Sequence, residues 1–296
     1  MKSLYSLPFN LYSLLLRDTD NPMKLVTCTT KRGTRIGEVV DDRIYSTAWV
    51  DSMTRLIRRG YTPNRISEYF PLEEVKLEAP LRPAKIVAIG RNYAEHAKET
   101  GNEPPPAPLI FAKFPSSIIG PGEEITWSES ITKEVDWEGE LAVIIGKRAR
   151  NVSEDDAYNH VFGYTIANDV SARDLQLRQD GQWTRGKSLD TFCPLGPWIV
   201  TRDEIPDPHA LEIKTKVNNR IRQDASVGDM IFKIPQLIAY CSRSFTLEPG
   251  DILLTGTPPG VGEGMKPPVY LKDGDEVVIT IKGIGELRNR CRVLSE

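Results

Sequence analysis

From residue 85 onward the chain is a succession of short apolar stretches, most of them bounded by glycine or proline. KIVAIG (85–90), LIFAKF (109–114), EEITW (123–127), GELAVIIG (139–146) and VFGYTIAND (161–169) come first. GPWIVT (196–201), LEIKTKVN (211–218), GDILLTG (250–256) and DEVVITI (275–281) follow. Runs of this length, rich in β-branched residues and closed by turn formers, read as strands. Only two helical stretches are expected to interrupt them. One begins at Ser153, with Asp156 three residues on as in a capping box, and runs to Asn159; the other covers about 235–242. Many strands and few helices point to a mainly β, α+β fold, a sandwich, barrel or rolled sheet, and not to alternating βαβ units.

The N-terminal part reads differently. KLVTCTT and TRIGEVV, joined at Lys31-Arg32-Gly33, form a hairpin within 24–48, and residues 49–70 are expected to be helical with Leu56 and Ile57 on one face. Pro71 and the Pro80–Pro83 stretch then punctuate the chain, which places a domain boundary near residue 80. The expected organisation is residues 1–22 as a poorly ordered extension or a consequence of start-codon choice, 23–80 as a small N-terminal domain, and 81–296 as the main domain. Pro8 and Asn10 interrupt the early apolar patch and no small-residue cleavage pattern follows, so a signal peptide is disfavoured.

Composition closes off several classes. Hydrophobic residues make up 40% of the chain, enough for a sizeable core, and the net charge of -3 comes from interspersed acids and bases without a basic stripe. That argues against a nucleic-acid partner. No apolar run approaches the roughly 20 residues that span a bilayer. Cys28, Cys193, Cys241 and Cys291 are far apart and form no C-x-x-C pair, so buried, reduced thiols in a cytoplasmic protein are expected.

The sharpest chemical feature is Glu138-Gly139-Glu140 at the start of GELAVIIG. Residues i and i+2 of a strand share a face, so the two carboxylates project together, while Val135, Trp137, Leu141, Val143 and Ile145 carry the strand into a core. Two like charges at a core margin repel and resist desolvation, and a cation relieves both penalties. Asp169, at the end of FGYTIAND, is a candidate third ligand. Three hard oxygen donors suit Mg²⁺, Mn²⁺ or Ca²⁺ better than Zn²⁺ or Cu²⁺ and leave positions open for substrate. The simpler alternative is a pair of solvated acids on a strand face.

After the first core strand, Gly90-Arg91-Asn92-Tyr93 leads into a short helix-prone stretch in which His96 and Glu99 are three apart and share a face. A carboxylate beside an imidazole makes a general base, although such a pair is also common on surfaces. Lys187 lies in GKSLD, and Thr255-Gly256-Thr257-Pro258-Pro259-Gly260-Val261-Gly262 forms a turn able to present N–H groups and hydroxyls to a carboxylate.

Taken in order, GRNYAEHAKE, DWEGELAVIIGK, FGYTIANDVSARDLQ, GKSLDTFCPLGP and TGTPPGVG resemble the fumarylacetoacetate hydrolase superfamily, more in the style of its bacterial acylpyruvase and oxaloacetate decarboxylase branch than of the larger animal enzyme. The resemblance covers nearly everything after residue 80. It implies a mixed β-sandwich roll, usually a homodimer, with Mg²⁺ or Mn²⁺ on Glu138, Glu140 and Asp169. It implies a His96–Glu99 dyad on a mobile lid and Lys187 as the active-site lysine. Arg91, Tyr93, Arg173, Gln176 and Thr257 fall on substrate-binding positions. The implied reaction is metal-dependent C–C cleavage of a small 2-oxo acid through a pyruvate enolate, by acylpyruvate- or fumarylpyruvate-type hydrolysis or by oxaloacetate decarboxylation. An isomerase or dehydratase of a related catabolic intermediate is the alternative, and a non-catalytic metal-bound structural protein is the alternative of another class.

Overall fold

In this computed structural model the described residues are 23–179 and 181–295, and the expectation for residues 1–22 falls outside them. The strands used below are β1 (Lys24–Thr30), β2 (Gly33–Val40), β3 (Arg43–Thr47), β4 (Arg65–Pro71), β5 (Ile86–Gly90), β6 (Leu109–Lys113), β7 (Glu124–Trp127) and β8 (Gly139–Ile145). They continue with β9 (Val161–Asn168), β10 (Cys193–Thr201), β11 (Glu212–Val217), β12 (Arg220–Ser226), β13 (Ile252–Leu254), β14 (Glu276–Ile281) and β15 (Gly285–Val293). The helices are α1 (Met53–Arg58), α2 (Ala94–Glu99), α3 (Trp183–Lys187) and α4 (Ile234–Ser244).

Among the described residues the large sheet runs β4-β3-β2-β1-β10-β9-β8-β13-β5-β6, and a second sheet runs β12-β11-β14-β15-β7. Both are mixed: β13 lies parallel to β5 and β7 parallel to β15, while the other pairs along these two paths are antiparallel. The fold is therefore mainly β with few helices, a sandwich in which the large and small sheets share a core.

Strand β8 explains why. All seven of its residues are buried. Leu141, Val143 and Ile145 belong to a core shared with Ile213, Ile279 and Leu287 of the small sheet. Ala142 and Ile144, on the opposite face, pack in a second core with Leu25, Met53, Leu56 and Ile57. A strand covered on both faces has no polar alternation to display, which is why GELAVII is uninterrupted.

The same packing bears on the N-terminal segment. Strand β1 pairs with β10, Leu25 opposite Ile199, so the sheet runs across the boundary expected near residue 80. Residues 49–70 are not one helix. Ser52 caps α1, its hydroxyl accepting from Arg55 N at 3.4 Å, and the helix gives way at Gly60, whose φ is +58°. Pro63 follows, and Ile66, Tyr69 and Phe70 then build β4, antiparallel to β3 with Tyr45 opposite Tyr69. β-branched and aromatic residues beside an available sheet edge outweigh the helical reading. The helix expected from Ser153 is likewise reduced to a turn and a single 3-10 turn, Ala157–His160; the Ser153 hydroxyl does accept from Asp156 N at 3.3 Å, but too few residues follow to propagate a helix. Helix α4 stands where expected, and all four cysteines are buried and unpaired.

Candidate active site

The acid cluster is set by strand register. Gly139 pairs with Asn168 and Glu140 with Ala167, so Glu138, just before β8, faces Asp169, just after β9. The junction is fastened twice: Asp169 N donates to Glu138 O at 2.8 Å, and Glu138 N donates to Asn168 Oδ1 at 3.0 Å. Ligand atoms of Glu138, Glu140 and Asp169 lie within 4.8 Å of one another, and all three residues are buried. Gly139 is required between the acids because a Cβ there would stand 2.3 Å from Thr215 Oγ1 of the small sheet.

Buried carboxylates need partners. Lys187 Nζ lies 2.6 Å from Glu138 Oε2 and 2.9 Å from Asp169 Oδ2. Lys113 Nζ donates to Asp169 Oδ1 at 2.6 Å and also bonds the carbonyl of Lys187. Arg173 Nη2 is 2.7 Å from Glu138 Oε1. Glu140 accepts from Gly256 N at 2.8 Å. The electrostatics split the acids. Burial acts to raise Glu138, but Lys187, Arg173 and His96 outweigh it and draw the carboxyl down to about 2. Burial, then Asp169 and Glu138, push Glu140 well above the usual carboxylate range. Burial acts to lower Lys187, but Asp169 and Glu138 outweigh it and hold the ammonium charged. Counted as ionised, buried Asp136, Glu138, Glu140 and Asp169 outnumber the buried cations Lys113, Arg173 and Lys187 by one, and the raised Glu140 is the acid left unmatched. An all-oxygen donor set with unrelieved repulsion fits a hard divalent cation.

The cluster opens onto a cavity of about 60 Å³ whose wall includes Arg91, His96, Glu138, Arg173, Gln176, Lys187 and Thr257. Glu99 stands behind His96, its Oε1 2.9 Å from His96 Nδ1 and its Oε2 accepting from Gly260 N at 2.8 Å. Helix α2 carries the pair with His96 and Ala97 buried. Asn92, in the turn that leads into it, is an anchor. Asn92 is fully buried, its amide donating to Phe232 O and Thr255 O while its oxygen accepts from Phe232 N.

The other expected substrate-binding positions divide. Arg91 has a positive φ of 53° and places its guanidinium over the Trp183 ring, 5.4 Å from the centroid. Arg173 is committed to Asp136, with Nε 2.8 Å from Oδ2, as well as to Glu138, and Gln176 Oε1 accepts from its Nη1 at 2.9 Å. The Thr257 hydroxyl donates to Gly139 O at 3.0 Å. Tyr93 is buried and bridges to Met230 without being part of the cavity wall; burial and then Glu140 push its hydroxyl up. Sequence reasoning missed Lys113, Asp136 and Trp183. A lone lysine inside LIFAKF was the available signal for the first, and an acid two residues before Glu138 for the second. Trp183 packs edge-on against Phe111 at 5.4 Å and lies where a Cβ on Gly90 would meet it at 2.5 Å.

Residues 85–292 match the sequence model for the fumarylacetoacetate (FAA) hydrolase C-terminal domain. The chain is 46% identical over 263 residues to oxaloacetate tautomerase Fahd2a, mitochondrial, of Rattus norvegicus, covering 86% of this chain and 84% of that protein. It is 50% identical over 225 residues to oxaloacetate tautomerase YisK of Bacillus subtilis (strain 168), covering 75% and 74%. Among solved structures, a fumarylacetoacetate hydrolase from psychrophilic Exiguobacterium antarcticum superposes with a TM-score of 0.83 at 41% identity, over 92% of this chain and 100% of that one. A 2-hydroxyhepta-2,4-diene-1,7-dioate isomerase from Mycobacterium marinum gives 0.79 at 37% identity, over 93% and 100%.

Proposed function

This chain belongs to the fumarylacetoacetate hydrolase family, and we propose that it is an enzyme that tautomerises a short 2-oxo diacid of the oxaloacetate type. The observation that carries the reading is one small cavity lined both by the Glu99-backed His96 and by Lys187 beside the three carboxylates. Keto–enol exchange needs one proton removed from C3 and one placed on the C2 oxygen, with the charge on that oxygen stabilised between the two events. The names of the relatives support tautomerisation over the cleavage reactions favoured by the sequence alone.

Glu99, by accepting from Nδ1–H, fixes the tautomer of His96 that leaves Nε2 with a free lone pair, and this nitrogen serves as the base toward C3. Lys187, kept charged by Glu138 and Asp169, stabilises the developing oxyanion, and the proton taken up by His96 Nε2 is returned to that oxygen, so none is gained or lost overall. Glu138, Glu140 and Asp169 would hold Mg²⁺ or Mn²⁺, which when bound supplies Lewis acidity toward the 2-oxo group. Arg91 has no carboxylate partner among the described residues and is the cation offered to the distal carboxylate. Arg173 and Thr257, already engaged, shape the wall.

C–C cleavage is the second reading. Loss of CO₂ from oxaloacetate leaves the same kind of enolate, and the dyad that takes a proton from C3 can instead take one from water during hydrolysis of an acylpyruvate. The two are separated by following keto–enol equilibration of oxaloacetate and pyruvate release in one sample. Fast equilibration with no enzyme-dependent pyruvate is expected. Pyruvate formed as fast as the enol relaxes would establish cleavage, and catalysis of neither would remove this substrate class. The homodimer is retained as part of the proposal, with sedimentation equilibrium as its test.

A further inference from the structure

We propose that the turn Gly260–Gly264 is a built seat for helix α2, and that Gly264 and Asp136 are positioning residues for the His96–Glu99 pair. The proposal rests on the proton-transfer reading of that pair. Helix α2 has six residues and no side-chain N-cap, so little within the helix fixes its place. Glu99 supplies what is missing, one oxygen on His96 Nδ1 and the other on the N–H of Gly260.

The turn is shaped for that carboxylate. A Cβ on Gly264 would lie 2.7 Å from both Cγ and Cδ of Glu99 and 2.8 Å from its Oε2. The backbone there is not left-handed, so the absence of a side chain serves the approach of Glu99 and not a turn conformation. Gly260 and Gly262 fix the turn from behind, since a Cβ would meet Arg222 O at 1.9 Å in the first case and Val269 O at 1.8 Å in the second.

Asp136 then ties the seat to the acid cluster. Its Oδ1 accepts from Gly262 N at 2.7 Å and its Oδ2 from Glu263 N at 3.0 Å. The same Oδ2 accepts from Arg173 Nε at 2.8 Å, and Arg173 continues to Glu138. One fully buried carboxylate thus holds the turn with one set of bonds and the cavity's arginine with another. The placement of His96 relative to Glu138 follows from this chain of contacts, although Asp136 and Gly264 touch neither the imidazole nor the cavity.

The test uses the full chain, with amide hydrogen exchange over residues 94–100, melting temperature, and kcat and KM on oxaloacetate. Gly264→Ala pushes the Glu99 carboxylate off its N–H groups without straining the backbone. Loss of a charge-assisted bond predicts about 10- to 100-fold less protection over 94–100 and a comparable fall in kcat, with KM, melting temperature and protection in β8 and β9 held. Gly264→Ala combined with Glu99→Asp, one methylene shorter, should lose less activity than the product of the two single losses. Asp136→Asn should loosen 94–100 although it never touches that helix. Unchanged protection over 94–100 in Gly264→Ala, or a loss matched by a global fall in melting temperature, overturns the seat; unchanged protection in Asp136→Asn overturns the link through Asp136. Exchange needs no turnover, so a loosened helix in a protein inactive on oxo acids would uphold the seat and reject only the reaction.

Discussion

Replacing Glu140 with glutamine should make the metal-free protein more stable and abolish its stabilisation by metal. The two effects have opposite signs, which is what makes the substitution informative. Glu140 is 1% exposed, with donor atoms of Glu138 and Asp169 within 4.8 Å. At an effective dielectric of about 20, two unit charges about 5 Å apart repel by roughly 3 kcal/mol. Wild type escapes part of this by taking up a proton, since burial and the neighbouring acids hold the Glu140 carboxyl well above its usual range. A carboxyl raised in the folded state costs stability as pH climbs from its unfolded value toward its folded one. Glutamine has nearly the same shape and no such cost, so its advantage in EDTA should be on the order of 1–3 kcal/mol and grow with pH through that window. With free Mn²⁺ at a hundred times its dissociation constant, wild type should gain about 2.7 kcal/mol, or roughly 5–10 °C. Glu140→Gln, lacking one anionic ligand, should gain little at the same concentration. Thermal unfolding with and without metal at several pH values measures both arms. A variant that melts several degrees below wild type in EDTA at every pH, or that keeps the full metal shift, would refute the argument.

His96→Gln should lower turnover by about 10²–10⁴-fold with the melting temperature nearly unchanged, and wild-type turnover would remove His96 as the base. Trp183→Ala, by removing the ring that packs on Phe111 and under Arg91, should raise relative kcat/KM for 2-oxo acids with a bulkier distal group by roughly tenfold, and an unchanged preference would show that this wall does not select. His209 accepts from Ile234 N at the start of α4 at 3.3 Å, and burial followed by Lys233 lowers its affinity for a proton. The unfolded chain therefore protonates first, and stability should fall as pH drops below the ordinary histidine range; His209→Gln should flatten that fall in urea titrations, and parallel curves would assign it to another group.

How much of this could be read from the sequence depends on the range over which each feature is determined. The pairing of Glu138 with Glu140 is local, a consequence of the two-residue period of a strand, and the sequence suffices for it. Asp169 joins them only because Gly139 pairs with Asn168; the strand end was visible but its partner was not, and the family resemblance stood in for that register. Lys113 sits 56 residues from Asp169, and the apolar run around it hints at burial without indicating which acid it meets. The 49–70 stretch shows the converse. Its first turn is helical as the pattern suggests, but the remainder joins a sheet edge whose existence depends on β3 being already in place. The N-terminal hairpin was legible, yet its pairing with β10, Leu25 opposite Ile199, was not, since an apolar strand announces that it will be buried and not against what.

The site occupies the place where the doubly buried strands stop being apolar. Strand β8 can be hydrophobic on both faces only while neighbours cover it, and at its N-terminal end the small sheet approaches so closely that Gly139 is needed. Charges placed there cannot reach bulk water, so each must be matched from within. Lys187 and Lys113 match Asp169, Arg173 matches Glu138, and Glu140 is left with a single backbone N–H and two repelling neighbours. A hydrophobic replacement of the cluster would on these grounds stabilise the metal-free fold. The arrangement is therefore accounted for by what it binds and not by what it contributes to folding, and the residue with the fewest partners, Glu140, is where a divalent ion has the most to gain.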